Sequence, residues 1–226
     1  MNVAEAVGHI LASLGVDTAF GVVGSGNFHV TNALVAHGAR YVAARHEGGA
    51  ATMADAYARL SGRVGVLSVH QGPGLTNAMT GIAEAAKSRT PLIVLAGEAT
   101  EPRSNFFVDQ AALAEAVGAV PLRISSAETA AADTAEAFRV AGEGRRTVLL
   151  NLPLEVQGRH VPDVPGASVA GASGTGASGG NGPRGVPEAG EAARLAEFFG
   201  ASATQIRRAS ELVVDTAQYV DGLRRG

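Results

Sequence analysis

The chain has 226 residues, of which 46% are hydrophobic and 17% charged, and it contains no cysteine. The apolar fraction supports a buried core and argues against a wholly disordered chain, and the net charge of −3 without a basic run argues against a nucleic-acid or anionic-membrane surface. The absence of cysteine excludes a disulfide framework, a thiolate nucleophile and a Cys-based metal site. With no signal-peptide pattern and no long apolar stretch, we expect a soluble, cytoplasmic protein.

Helical and strand patterns alternate over about the first 155 residues. Apolar residues recur at helical spacing from Val7 to Leu14, and Gly15 is expected to end that helix. Short apolar runs without alternation, separated by helices, predict a mostly parallel sheet covered on both faces, the doubly wound α/β class. The predicted strands cover 18–23, 41–44, 64–69, 91–96, 121–124 and 147–152, and the later helices cover 47–60, 74–87, 110–117 and 127–141.

The composition changes after this predicted domain, which we place at residues 1–161. Gly, Ala, Ser and Pro dominate residues 162–186, a composition that is typical of a flexible linker. Helical periodicity returns in residues 187–226, which we predict to be a short helical tail. Such a tail is too small for a core of its own, so it docks on the main domain, docks on a partner or begins a further domain.

A glutamate opens the predicted helix that follows the second strand. Glu47 precedes a run of small residues, Gly48-Gly49-Ala50-Ala51. Ligands of open α/β sheets collect at the carboxyl ends of strands, and the helix dipole favours a carboxylate in the first turn. Glu47 is therefore either a functional acid or a plain capping carboxylate. The small residues indicate that another surface approaches this helix closely.

A glycine-rich turn, Gly72-Pro73-Gly74, joins the third strand to its helix. It lacks the Gly-Lys-Ser/Thr ending of a phosphate-binding P-loop, so by itself it indicates only a tight turn. His70 precedes this turn at the carboxyl end of the strand, where catalytic groups are often held. A buried histidine with satisfied hydrogen bonds is the alternative.

These motifs occur together with two others, Phe20-Gly21-Val22-Val23-Gly24-Ser25 and Pro91-Leu92-Ile93-Val94-Leu95-Ala96-Gly97. In this order and at this spacing, the four segments resemble the amino-terminal pyrimidine-binding domain of thiamine diphosphate enzymes. The most similar group looks like the superfamily of acetolactate synthase, benzoylformate decarboxylase and pyruvate decarboxylase. The resemblance covers residues 1–161.

The resemblance implies thiamine diphosphate and Mg²⁺ as cofactors. In that family the glutamate matched by Glu47 hydrogen-bonds N1′ of the aminopyrimidine, which favours the imino tautomer that removes the C2 proton of the thiazolium. The turn that holds Gly72, Pro73, Gly74 and Asn77 resembles the family loop near the cofactor and the dimer partner. The implied reaction is decarboxylation of a 2-oxo acid, with or without ligation of the acyl group to an acceptor.

The resemblance also implies substrate-side residues. His70 matches a catalytic histidine of benzoylformate decarboxylase-like members, which donates or accepts a proton during carbonyl addition, and Ser25 matches a serine that contacts the substrate. His29 lies close enough on the same predicted loop to compete with Ser25. Acetolactate synthases carry Phe-Gln before Val-Asp, and Phe106 replaces that glutamine here, which makes the site more apolar. We expect Phe106 and Gln110 on the substrate side.

The family's diphosphate-binding domain carries a Gly-Asp-Gly sequence, which does not occur in residues 1–226. The resemblance therefore implies a split enzyme: this chain is the pyrimidine-binding subunit of a hetero-oligomer, a dimer of dimers, and a separate chain holds most of the Mg²⁺ ligands. A non-catalytic regulatory or relic module and a fragment of a longer enzyme are the alternatives. The retained Glu47 argues against the non-catalytic module, because a scaffold does not need that carboxylate.

Overall fold

The computed structural model describes residues 1–161. The predicted linker over 162–186 and the predicted helical tail over 187–226 lie outside the described residues, so these domain boundaries stay predictions. The strands are β1 (Thr18–Gly21), β2 (Arg40–Ala43), β3 (Gly65–Val69), β4 (Leu92–Glu98), β5 (Val120–Arg123) and β6 (Thr147–Pro153). The helices are α1 (Val3–Ser13), α2 (Phe28–Ala36), α3 (Glu47–Ser61), α4 (Pro73–Lys87), α5 (Gln110–Ala116), α6 (Ala130–Gly142) and α7 (Leu154–Gln157).

The strands form one parallel sheet in the order β2-β1-β3-β4-β6-β5. Buried residues of α1, α2 and α6 pack on one face, and those of α3, α4 and α5 pack on the other. Because both faces are covered, every residue of β3 and β6 is buried, which explains why these strands show no apolar alternation. The doubly wound α/β class is confirmed.

The predicted strands and helices are all present, with ends that differ by a few residues, but two further helices were missed. In α2 the polar Thr31 is buried whereas Val35 is 49% exposed, so the buried face does not follow the hydrophobic pattern. The second missed helix, α7, has only four residues. That length is too short to produce a periodic pattern.

The hydroxyl of Tyr41 on β2 is buried and has no hydrogen-bond partner among residues 1–161. Burial raises the pKa of Tyr41 to about 12. We expect Tyr41→Phe to leave the free energy of unfolding unchanged or to raise it by about 0.5–1 kcal/mol, because the variant removes an unpaired buried group.

The matched control is Tyr57→Phe, which removes a hydroxyl that donates to Asp17. This control is expected to lower the free energy of unfolding by about 1 kcal/mol. Urea denaturation measures both variants. A loss for Tyr41→Phe as large as that for Tyr57→Phe would show that the Tyr41 hydroxyl is satisfied in solution.

Candidate functional site

The carboxyl ends of β1 and β3 lie side by side at one edge of the sheet. These strands are neighbours, but the helix that follows β1, α2, packs on one face and the helix that follows β3, α4, packs on the other. Ligands of open α/β sheets bind at such a point of divergence. Residues 22–27 leave β1 and residues 70–72 leave β3, so the two predicted motifs meet here.

Glu47 is the first residue of α3 and is half-buried. Its Oε2 accepts a hydrogen bond of 3.0 Å from Nδ2 of Asn77 on α4. A Cβ built on Gly74 would lie 3.5 Å from Oε1, so the glycine leaves space beside this oxygen. The Asn77 amide thus orients the Glu47 carboxylate from a second helix.

Small residues let α3 and α4 pack closely, as the sequence predicted for the Glu47 helix. A Cβ on Gly81 would lie 2.5 Å from the Cβ of Ala51, and one on Gly48 would lie 3.2 Å from the carbonyl oxygen of Asn77. Larger side chains at these glycines would push the helices apart. The close approach therefore carries the Asn77 amide to the Glu47 carboxylate.

His70 immediately follows β3 and is half-buried. Its Nδ1 accepts a hydrogen bond of 3.1 Å from the backbone N–H of Gly26. The ring packs edge-on against Phe106, with 5.2 Å between ring centroids. Burial lowers the pKa of His70 below its ordinary value, and the negative charge of Glu47 partly opposes this change. The lowered pKa favours the neutral imidazole at pH 7, and the Gly26 N–H is directed at the Nδ1 lone pair.

The lowered pKa of His70 predicts a loss of stability in mildly acidic solution. The unfolded chain protonates this histidine near a pKa of about 6.5, whereas the folded chain does so only at lower pH. The unfolded state therefore binds more protons in this window, so the free energy of unfolding falls as the pH drops from about 6.5 through the folded pKa.

We expect this loss to be smaller in His70→Asn than in the wild-type chain. Urea denaturation at several values between about pH 5 and pH 7 measures it. Equal pH slopes for the two proteins would contradict the prediction.

The buried side-chain amide of Gln110 binds the Gly72-Pro73-Gly74 turn. Gly72 has φ +58°, and its N–H donates to Oε1 of Gln110 over 3.3 Å. Nε2 of Gln110 donates to Oδ1 of Asn151 over 2.7 Å. The structure thus shows Gln110 positioning the turn. Direct contact of Gln110 with a substrate stays a prediction.

Ser25 is exposed in the loop after β1, between two glycines that pack on His70. A Cβ on Gly24 would lie 2.8 Å from Cγ of His70, so Ser25 is close to the histidine along the chain and in space. The predicted location of His29 on this loop is wrong. His29 is the second residue of α2 and is exposed, with its ring edge-on to Phe28.

Sequence reasoning missed a buried polar cluster beneath the same loop. Asn27, Thr31 and Ser68 are each at most 3% exposed and are linked by hydrogen bonds. Gln157 of α7 is also buried and donates to the loop carbonyl of Gly26. The one available signal was Ser68, a polar residue inside an otherwise apolar strand.

Metal-binding side chains do not cluster in the described part of the chain. Within residues 1–161, no three His, Asp or Glu side chains lie close enough together to hold a metal ion. None of the helices in that range is both long and apolar enough to cross a membrane. Mg²⁺ binding and the cellular compartment stay predictions.

Residues 1–121 match the family described as thiamine pyrophosphate enzyme, N-terminal TPP binding domain. The chain is 37% identical over 162 residues to acetolactate synthase isozyme 2 large subunit of Escherichia coli (strain K12), covering 70% of this chain and 30% of that protein. It is 34% identical over 146 residues to acetolactate synthase of Bacillus subtilis (strain 168), covering 63% of this chain and 26% of that protein. It is 37% identical over 92 residues to 2-hydroxyacyl-CoA lyase of Saccharomyces cerevisiae, covering 41% and 16%. The chain spans less than a third of the length of these relatives.

Proposed function

Since this chain belongs to the thiamine pyrophosphate enzyme family through its N-terminal TPP binding domain, we propose that Glu47 binds the aminopyrimidine of thiamine diphosphate. Family membership confirms the resemblance seen in the motifs. The observation that carries the proposal is the position of the Glu47 carboxylate, at the amino end of α3 and within electrostatic range of His70. A plain capping carboxylate would not need the amide of Asn77 from a second helix.

The residues around Glu47 fit a flat ring with a hydrogen-bond donor. Oε2 is engaged by Asn77, whereas Oε1 accepts no hydrogen bond from residues 1–161 and lies beside the bare Cα of Gly74. Oε1 can therefore accept a hydrogen bond from a ring nitrogen that carries a proton. Gly74 leaves room for the edge of that ring. When bound, the cofactor supplies an electron sink for a carbanion. Glu47 holds the proton at N1′.

His70 and its neighbours form the substrate side of the proposed site. Nε2–H of a neutral imidazole can donate to a carbonyl oxygen of a 2-oxo acid, and Ser25 offers an exposed hydroxyl near it. Phe106 packs on the ring and adds an apolar surface. This set supports a decarboxylase or carboligase acting on a small 2-oxo acid. Gly72, Pro73 and Asn77 shape the cofactor side.

We also propose that a separate chain completes the site. In the family the diphosphate and Mg²⁺ are held by a domain with a Gly-Asp-Gly sequence, and residues 1–226 do not contain that sequence. Part of the exposed surface of α3 and α4 suits a partner, because small uncharged residues there cost less to desolvate than charged ones. These residues are Gly49, Thr52, Ala56, Thr76 and Thr80. The proposed complex is a cytoplasmic hetero-oligomer.

Native mass spectrometry of the chain purified from its own cells, with thiamine diphosphate and Mg²⁺ present, tests this proposal. Co-purification of a second chain that carries Gly-Asp-Gly, with the cofactor bound, is the expected result. The matched sample is Glu47→Gln, which should keep the partner but bind the cofactor more weakly. An assembly of this chain alone, without cofactor, would contradict the split enzyme and favour the non-catalytic module or a fragment of a longer enzyme.

A further inference from the structure

Both backbone polar atoms of Gly26 are engaged by side chains. Its N–H donates to Nδ1 of His70 over 3.1 Å, and its carbonyl oxygen accepts from Nε2 of Gln157 over 3.0 Å. The same Gln157 amide donates to the carbonyl of Leu152 at the end of β6, over 2.8 Å. Gln157 is 6% exposed, so water does not replace these bonds easily.

The residue after Gly26 ties the loop to β3. Asn27 Oδ1 accepts from the N–H of Gly24 over 2.7 Å, and Asn27 Nδ2 donates to Oγ of Ser68 over 2.9 Å. The Ser68 hydroxyl also lies 3.0 Å from the hydroxyl of Thr31. Since Ser68 is two residues before His70 on the same chain segment, Asn27 fixes the loop relative to the histidine.

Close packing against β4 allows little movement of the Gly26 backbone. A Cβ on Gly97 of β4 would lie 2.7 Å from the carbonyl oxygen of Gly26, so the loop rests directly on that strand. The Gly26 N–H is thus directed at the imidazole by contacts from β3, β4 and α7. A shift of the Gly26 backbone from this position would break at least one of these contacts.

An N–H that points at Nδ1 decides where the imidazole proton lies. Nδ1 must be a lone-pair acceptor, so the neutral ring carries its proton on Nε2, and protonation of Nδ1 would set two N–H groups against each other. Glu47 on α3 is the charged group that faces the ring and favours protonation. Gly24, Gly26, Gly74 and Phe106 also pack against His70, and none of them carries a titratable side chain.

We propose that Asn27 and Gln157 are positioning residues: they hold the backbone on either side of the Gly26 Cα, so that the Gly26 N–H keeps His70 as the neutral Nε2–H tautomer. His70 then offers the ligand a hydrogen-bond donor and not a base. That catalytic consequence rests on the proposed function, whereas the tautomer itself is a property of the free chain.

Nitrogen-15 NMR of the imidazoles in the full 226-residue chain tests the inference without cofactor. The His70 signals are identified by their loss in His70→Asn. We expect a pyridine-like Nδ1 and a pyrrole-like Nε2 at about pH 7.5, which is one unit above the ordinary histidine pKa. A pyrrole-like Nδ1 in the wild-type chain would overturn the proposal and leave the role of Glu47 untouched.

Two variants measure the positioning effect. Gln157→Met and Asn27→Ala are each expected to raise the population of the Nδ1–H tautomer about fivefold, the equivalent of losing one net hydrogen bond, and to move the pKa of His70 toward its ordinary value. The control is Thr147→Val, which removes a buried hydroxyl that donates to the carbonyl of Thr90 at the opposite end of the sheet. It should leave the His70 signals unchanged.

An unchanged tautomer ratio in a folded Gln157→Met or Asn27→Ala chain would refute the positioning role. If Asn27→Ala fails to fold, Ser68→Ala replaces it, because that change removes the hydroxyl that binds Asn27 and Thr31. Failure of cofactor binding in the native complex, with the Nε2–H tautomer present, would count against the proposed function alone.

Discussion

Replacing Glu47 by glutamine is expected to lower turnover of the assembled enzyme by a factor of about 10² to 10⁴, the usual contribution of one acid–base group. Glutamine has nearly the same shape, and its carbonyl oxygen still accepts from Asn77. It cannot take up the proton that the carboxylate exchanges with the ring nitrogen. The fold and partner binding should persist, so the loss should appear in the rate of 2-oxo acid consumption.

The control for this prediction is Glu136→Gln on α6. Glu136 is exposed and pairs with Arg139, and α6 packs on the sheet face opposite to α3. The control variant should therefore retain wild-type turnover. Near-normal turnover in Glu47→Gln would remove the carboxylate from the proposed mechanism and favour a capping role at the start of α3.

Gly72→Ala is expected to lower the free energy of unfolding by about 3 kcal/mol. Gly72 has φ +58° and ψ −107°, a backbone conformation that disfavours a side chain. A Cβ there would also lie 2.4 Å from the carbonyl oxygen of Phe106. Relief of this clash would move the Phe106 segment away from His70 or break the hydrogen bond between Gly72 and Gln110. Urea denaturation measures the loss.

Two other glycines separate the causes. Gly62→Ala shares the positive φ, at +69°, but meets no atom within 4 Å, so we expect it to cost about 1 kcal/mol through backbone strain alone. Gly49→Ala lies in α3 with open space around it and should raise the free energy of unfolding by about 0.5–1 kcal/mol. If Gly72→Ala costs no more than Gly62→Ala, the contact with Phe106 relaxes without penalty.

The sheet could be predicted from local sequence because its strands are buried on both faces. Runs such as Leu92–Glu98 and Thr147–Pro153 are apolar at nearly every position, and each is flanked by helical periodicity. The same logic failed for α2, where Thr31 is buried because Ser68 of β3 supplies its hydrogen-bond partner. A pattern within one segment cannot reveal a partner that lies 37 residues away.

In the candidate site, too, the sequence identified the main residues but not their hydrogen-bond partners. Glu47 and His70 could be identified from the sequence because each stands at a junction of strand and helix beside a recognisable glycine motif. Their hydrogen bonds come from Asn77 and Gly26, which belong to other segments, and Gly26 is in turn held by Gln157.

The α/β class, the succession of strands along the chain and the family motifs could thus be read from the sequence, because they arise from short-range patterns of burial and turn chemistry. The hydrogen bond from Gln157 to the carbonyl of Gly26, by contrast, became visible only in the folded chain, since it joins residues 131 positions apart. The packing of whole helices and strands determines which hydrogen-bond partner a buried polar group meets. The residues next to such a group in the sequence do not indicate that partner.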